Sequence, residues 1–376
     1  MPKAPETINP LIQLELFQST GQINISDLYN SIPTSVDGLL RNEIRWEGEL
    51  AHALVVPFKI SDKSPVLNSV ISPATILQEN GSSKAMFPGF REDQIEEAII
   101  GLLSKARDSV TLKHDQERNV KHLITLSPYQ IQKEIVEAIY KRERRVVEVK
   151  NCRYSAKDIR EALKILRGAN ISVLDEDGIK EYDFSRIKDL YIDDESQKFV
   201  IEVNTFITNS INQQDYYPYA SQGLLAPSDE VEHAVVKYLQ RNFNWASKSK
   251  KPFGIYATTL MDKCGYVAKA NSLSIKISKF VKKIEKIAEI ERLDVGEPVK
   301  EGKKVVNKML YITPSDYFID TSIKSNVKKK RIDNHVVTPE GDLLLEPVRD
   351  DFSNEASYQK AILEHGLKKA KNALNY

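Results

Sequence analysis

The chain has 376 residues, 41% of them apolar, which is length and apolar content enough for two or three domains with cores of their own. No apolar run approaches a membrane span, the start MPKAPETINP lacks the apolar core of a signal peptide, and the two cysteines, Cys152 and Cys264, stand far apart outside any CxxC pair. These features exclude a disulfide framework and a cysteine zinc site, and they suit a reducing cytoplasm. The net charge of +1 averages unlike parts: from Arg241 to Lys330, 20 Lys and Arg stand against 9 Asp and Glu, while the remainder holds 34 basic and 44 acidic residues. Such asymmetry points to one segment that meets a polyanion.

Residues 1–85 read as a mixed N-terminal region, partly flexible, in which LAHALVVPF at 50–58 is the best apolar run and QENGSSK at 78–84 a loop. From Phe87 the periodicity sharpens. FREDQIEEAIIGLLSKA places Ile95, Ile99, Leu102, Leu103 and Ala106 on one helical face, with acidic residues at the helix start, where the dipole favours them. TLSPYQIQKEIVEAIY predicts a helix capped by Ser127, with Pro128 at its first position and Ile131, Ile135 and Ile139 four apart. YSAKDIREALKILRGAN predicts a third, opened by a Ser155–Asp158 capping box and stopped near Gly168. ISVLDEDGIKEYDF then reads as two β-prone arms around Asp177-Gly178, a hairpin. Three helices and a hairpin is the order of a winged-helix domain.

The order recurs. SDEVEHAVVKYLQRNF predicts a helix with Ser228 at its cap, and YATTLMDKCGY the short first helix of a helix-turn-helix, with VAKANS as the turn. LSIKISKFVKKIEKIAEI predicts one long helix. After it come β-prone ERLDV, a loop bounded by Gly296 and Gly302, and β-prone KVVNKMLYITP. Between the two units KFVIEVN is strand-like and DYYPYASQG reads as a turn-rich connector; a basic run, Lys328 to Arg331, and an amphipathic helix end the chain. The expected fold is α+β: two tandem winged-helix domains at 86–215 and 216–325, with a less ordered N-terminal region at 1–85 and a basic tail with a helix at 326–376.

The long helix carries the strongest functional signal. Measured from Ile277 at about 100° per residue, Phe280, Val281, Ile284, Ile287 and Ala288 fall on the core side, and Lys279, Lys282, Lys283 and Lys286 on the other. An outer face of four lysines without a carboxylate differs from a merely solvated face, which mixes signs. The second hairpin adds Lys300, Lys303 and Lys304, and the segment SKSKK adds Lys248, Lys250 and Lys251. The first hairpin instead carries Asp175, Glu176 and Asp177, which phosphates would repel. A recognition helix enters the major groove with its N-terminal half toward the base edges. Asn271, Ser272, Ser274 and Lys276 are therefore the base-edge candidates, while Lys269 and the other lysines meet phosphate, which gives affinity without sequence information.

Catalysis finds little support. GEPVKEGKK has five residues between its glycines instead of four and lysine where a phosphate loop needs Ser or Thr, and it joins two strands. The six histidines are scattered, and no acidic pattern suggests a metal site. No cofactor, no metal and no enzymatic activity are expected.

With these elements in place, residues 86–315 resemble plasmid replication initiators with tandem winged-helix domains. The likeness is clearest in FPGFREDQIEEAIIGLL, in YSAKDIREALKILRGANISVLDEDG, and in KFVIEVNTFITNSIN standing between helices. The resemblance implies a first unit that mediates dimerisation and helps engage DNA, and a second that reads repeated origin sites, called iterons. It implies double-stranded origin DNA, host helicase and host initiator as partners, and a homodimer in equilibrium with monomer. The acidic first wing departs from this pattern and puts DNA contact by that hairpin in doubt. Near the N-terminus, Gln13-Leu14-Glu15-Leu16-Phe17 allows two readings, a short packed strand or a docking peptide. It is similar to the pentapeptide by which bacterial replication proteins dock on the sliding clamp, with Leu16 and Phe17 as apolar anchors and Gln13 and Leu14 beside them. The function expected is non-enzymatic initiation of plasmid replication; a winged-helix transcriptional regulator is the alternative, and it needs neither the doubled unit nor the pentapeptide.

Overall fold

The computed structural model describes residues 22–25, 32–35, 53–58, 65–77, 81–105, 110–114, 120–204, 217–243, 245–264, 266, 272–302, 304–333, 336–337, 343–344, 359–360 and 362–363. The pentapeptide at 13–17 lies outside them. The fold is α+β, helices packed with small antiparallel sheets. Among the described residues no helix is long and apolar enough to cross a membrane.

The first unit is built on α1 (Phe90–Lys105), α2 (Pro128–Glu143) and α3 (Ala156–Gly168). The expected Ser155–Asp158 capping box forms, and the expected Ser127 cap proves to be a capping box as well, with Gln130. Ser127 accepts from the Gln130 N–H while the Gln130 side chain accepts from Ser127, and Ser155 and Asp158 do the same. Each satisfies two of the four N–H groups that a helix start leaves open. After α3 the chain forms the expected wing, β8 (Asn170–Leu174) and β9 (Lys180–Phe184), with Gly178 at φ +79° in the turn.

Two features of this unit depart from the expected organisation. First, β2 (Leu54–Phe58) and β3 (Leu67–Ser72) are not a separate N-terminal region: β3 pairs with β8, giving one sheet in the order β2-β3-β8-β9. The alternation of buried and half-buried residues along β3 gives it one core face, which the wing completes. Second, β6 (Val110–His114) and β7 (Val120–Leu126) stand between α1 and α2 and pair with β11 (Lys198–Val203) and β10 (Ile187–Asp193), in the order β10-β11-β7-β6. KFVIEVN is thus a strand as expected, but one buried inside the first unit rather than a free spacer.

Helix α1 is buried on every side, not on one face. Glu92, Asp93, Gln94, Glu96 and Glu97 are buried with Ile95, Ala98, Ile99, Ile100 and Leu103. A buried charge is tolerated only when paired, and each of these finds partners elsewhere. Arg186, between β9 and β10, is held by Asp93 (2.5 Å) and Glu96. Glu92 accepts from the Gly89 N–H and from Arg91. Glu97 meets His233 at 3.0 Å and Lys237 at 3.6 Å, both on a helix of the second unit.

The expected connector is also structured: β12 (Tyr217–Ala220) pairs with β1 (Gln22–Ile25), and α4 (Ser221–Leu225) packs on α1 and α2. The carbonyls of the last turn of a helix lack partners within it. Here Gln94 donates to the carbonyls of Leu224, Leu225 and Pro227, and Arg153 to those of Ala226 and Pro227. Apolar packing continues from Ile95 and Ile135 through Leu224 and Leu225 to Phe280 and Leu310, so one core serves both units.

The second unit comprises α5 (Glu230–Asn242), β13 (Phe253–Tyr256), α6 (Ala257–Lys263), α7 (Leu273–Ile284), β14 (Ile290–Glu301) and β15 (Lys304–Pro314), with the sheet order β13-β15-β14. Helix α8 (Asp316–Asp333) follows, so an expected boundary at 325/326 falls inside a helix that contains the basic run. Asp229, not Ser228, caps α5, accepting from the N–H groups of Val231 and Glu232; a carboxylate there also meets the helix dipole.

A buried ion pair joins the units. Arg142, in the last turn of α2, holds Glu289 through two hydrogen bonds, 3.0 and 2.6 Å, and Glu232 of α5 at 2.9 Å. The Arg142 and Glu289 side chains are each 1% exposed. Burial disfavours the Arg142 charge, but Glu289 and Glu232 outweigh it and hold the guanidinium firmly protonated.

Two measurements test this framework. Arg142→Ala leaves Glu289 buried without its cation, and urea unfolding is expected to show a loss of about 3–5 kcal/mol. Pairing Arg142→Met with Glu289→Leu is expected to recover most of it; no recovery would show that the pair is more than a compensated burial. Asp93 carries a pH signature. Burial pushes its carboxyl up, but Arg186, Lys237 and His233 outweigh burial and hold it below the usual range. A lowered folded-state value means full stabilisation above about pH 4, the unfolded value, and loss as pH falls through the folded one. Asp93→Asn is thus expected to cost roughly 3 kcal/mol at pH 7, with a gap to the wild type that narrows on acidification below about pH 4. A gap independent of pH would show that the Asp93 charge contributes nothing.

Candidate nucleic-acid interface

Helices α6 and α7 are positioned from beneath. Ile277, Phe280 and Ile284 of α7 are buried, and Phe280 packs on Tyr266 with ring centroids 4.9 Å apart. The start of α6 is tied to β15: Asn307 donates to the Thr258 hydroxyl at 2.6 Å and accepts from the Thr258 N–H at 3.3 Å. Ser272 is the N-cap of α7, its hydroxyl oxygen accepting from the Ile275 N–H.

Helix α7 is shorter than the periodicity predicts, ending at Ile284 with Glu285 as its C-cap. Two turns follow, closed by Ile287 N–H to the Ile284 carbonyl and Ile290 N–H to the Ile287 carbonyl. The chain leaves the helix where Glu289 must reach Arg142 and Ile290 must begin β14. Lys286 and Ala288 accordingly lie beyond the helix, both exposed, and Ala288 is not a core residue.

The hairpin also differs. Residues 296–301 are strand, not loop: β14 runs to Glu301 and pairs with β15 from Lys304, and Gly302, just past the end of β14, sits at φ +60°, the left-handed region that tight hairpin turns favour. Pro298 is accommodated because β14 is an edge strand and the register shifts between Val295 and Pro298. The tip carries Lys300, Lys303 and Lys304, but Glu301 stands opposite Lys304 in the register, so its positive charge is smaller than the lysine count suggests.

The structure sorts the expected DNA-contacting residues. Lys279 and Lys282 point outward from α7, exposed. Lys283 pairs with Asp229 at 2.9 Å, so the lysine face does meet a carboxylate, at the N-cap of α5. Ser274 and Lys276 are half-buried on the flanks of the helix. Lys269, Asn271 and Lys303 lie outside the described residues, as does the side chain of Lys304.

SKSKK does not join the others. Lys250 pairs with Glu291 and, at 3.1 Å, with Asp316, at the end of the sheet where β14 begins. Phe253 stands opposite Ile312 in the register, eight residues along β15 from Lys304, about 26 Å at about 3.3 Å per residue. Lys248 and Lys251 are exposed near that far end. The wing tip and SKSKK thus mark opposite ends of the sheet.

One outward residue was missed. On the same wheel Ile275 lies at about 160° from Ile277, flanked along the helix by Lys279 and Lys282, and it is 50% exposed. The periodicity used to find the lysines also places it there; attention to charge alone passed over it. Among the described residues no group of three or more His, Cys, Asp or Glu is placed to hold a metal ion.

No known family model matches this chain, and no curated protein matches it. Among solved structures the chain is similar to the Pi initiator protein, whose crystal structure is a complex with iteron DNA: 13% identity, 60% of this chain and 91% of that one, TM-score 0.42. It is also similar to a structure of domains 2 and 3 of RctB: 9% identity, 74% of this chain and 96% of that one, TM-score 0.38. At these scores the likeness says nothing of what this chain binds.

Proposed function

We propose that this protein is a sequence-specific, non-enzymatic initiator of plasmid replication that binds repeated sites in double-stranded origin DNA through α7 and the β14–β15 wing. The observation that carries the reading is the division of α7, with Ile277, Phe280 and Ile284 buried beneath and Ile275, Lys279 and Lys282 outward. The acidic turn at Asp175, Glu176 and Asp177 leaves the first unit for protein contacts, including a homodimer in equilibrium with monomer. Strand opening is driven by DNA binding and bending, with host helicase and host initiator recruited; the resemblance of residues 86–315 to plasmid initiators supports this part of the reading. The pentapeptide at Gln13–Phe17 serves to dock the chain on the sliding clamp, a reading that rests on its sequence.

Salt dependence tests the DNA face. Log affinity falls with log salt by about 0.9 per phosphate contact. Lys282→Ala and Lys300→Ala are each expected to reduce the slope by about that amount, on specific and random duplexes alike. Lys250→Ala is expected to leave it unchanged, because that ammonium is engaged by Glu291 and Asp316. Unaltered slopes for Lys282→Ala and Lys300→Ala would show a face that is only solvated.

The pentapeptide has its own test. Leu16→Ala with Phe17→Ala removes two anchors worth roughly 1.5–3 kcal/mol each if buried in a cleft. Binding to purified sliding clamp is expected to vanish at micromolar protein, with melting temperature and duplex binding intact. A lowered melting temperature would instead assign these residues to a packed strand.

A further inference from the structure

The outermost position on the N-terminal half of α7 is apolar. Ile275 is 50% exposed and lies opposite the core, while the other large apolar residues of the helix, Ile277, Phe280 and Ile284 among them, are buried or half-buried. A lone exposed isoleucine is ordinary on a protein surface; this one is set apart by its place. It heads the stripe Ile275, Lys279, Lys282, spaced i, i+4, i+7, whose lysines lie further along the helix. The polar groups beside it are less well placed to reach outward. Ser272 is committed as the N-cap, and Ser274 and Lys276 are half-buried on the flanks, with the Ser274 carbonyl accepting from the Ser278 hydroxyl.

The direction of the helix completes the picture. Beyond its C-terminal end, the chain is fastened at the base of the hairpin, where the Ser315 N–H donates to the Glu289 carbonyl. The preceding helix is fastened at Asn307, three residues from the wing tip at Lys304. The N-terminal half of α7 is packed through Leu273 and Ile277, and its outward side, where Ile275 is 50% exposed, stays open.

The major-groove edge of DNA presents a pattern of donors and acceptors and, at thymine alone among the four bases, a methyl group, at C5. We propose that Ile275 is a specificity contact: it packs on a thymine 5-methyl while Lys279 and Lys282 meet the flanking phosphates. Its contribution is discrimination, since it carries no charge and excludes water only where a methyl stands opposite. The inference rests on the reading of α7 as the major-groove helix.

The test separates the two. The full-length protein is used to select duplexes from a random-sequence pool, and each thymine of the resulting consensus is replaced singly by deoxyuridine, which removes the methyl alone. One position is expected to weaken wild-type binding about fourfold, the value of one buried methyl group. Ile275→Ala is expected to bind the thymine and uracil duplexes equally at that position, to keep its uracil penalties elsewhere, and to retain its affinity for random DNA. Ile275→Val, which keeps the branched apolar surface, is expected to keep the penalty. Circular dichroism and melting of both variants are expected to match the wild type, because the side chain is exposed. Equal uracil penalties in wild type and Ile275→Ala, or a consensus without thymine, would overturn this inference and leave the DNA-binding reading standing. Failure to enrich any duplex would overturn both.

Discussion

The structure depends on the burial of charge along α1. Glu92, Asp93, Glu96 and Glu97 lie within one helix that is enclosed on all sides. Desolvating a carboxylate is expensive unless a cation or a set of N–H donors replaces the lost water. Each partner must therefore come from another segment at a fixed place: Arg186 from the link between β9 and β10, His233 and Lys237 from α5, the Gly89 N–H from the turn before the helix. A pattern that looks locally like a solvated, dipole-favoured helix start is thus a set of long-range constraints. They bring the first wing's sheet and the second unit to the same helix.

The same logic positions α7. Arg142 draws Glu289 into the interior, and this ends α7 a turn sooner than its periodicity allows and starts β14. Lys283 pairs with Asp229, the residue that also caps α5. The C-terminal end of α7 and the base of the hairpin are therefore held against α5 and α2. The outward face of α7 at Ile275 and Lys282 remains exposed. A rigid hold at one end and an open surface at the other is what a groove-reading helix needs, because a contact helix must be oriented before it meets the bases.

Much of the local structure was legible. The Ser127 cap, the Ser155 capping box, the hairpin at Asp177-Gly178, and the buried row Ile277, Phe280 and Ile284 follow from short-range chemistry and form as the spacing predicts. Each depends on residues within one helical turn or one hairpin of each other. The misses share the opposite property. The strand β3 became part of the first unit because its partner, β8, lies about a hundred residues away. The connector DYYPYASQG became a strand and a helix because β1, Gln94 and Arg153 receive it. The SKSKK lysines looked like DNA contacts because a charge run carries no information about which end of a sheet it occupies.

The sequence by itself determined α1 to α3, the caps at Ser127 and Ser155, the two hairpins and the acidic turn of the first, because these arise from backbone hydrogen bonding and periodicity within a few residues. The tertiary structure alone decided which charges remain available. Lys250 and Lys283 are taken up by carboxylates distant in sequence, while Lys282 stands exposed on the outward face of α7 with Ile275. The physical reason is that an ion pair or an exposed apolar group is defined by what approaches it in space, and that approach is set by how the buried acids of α1 and the Arg142–Glu289 pair bring the two units together.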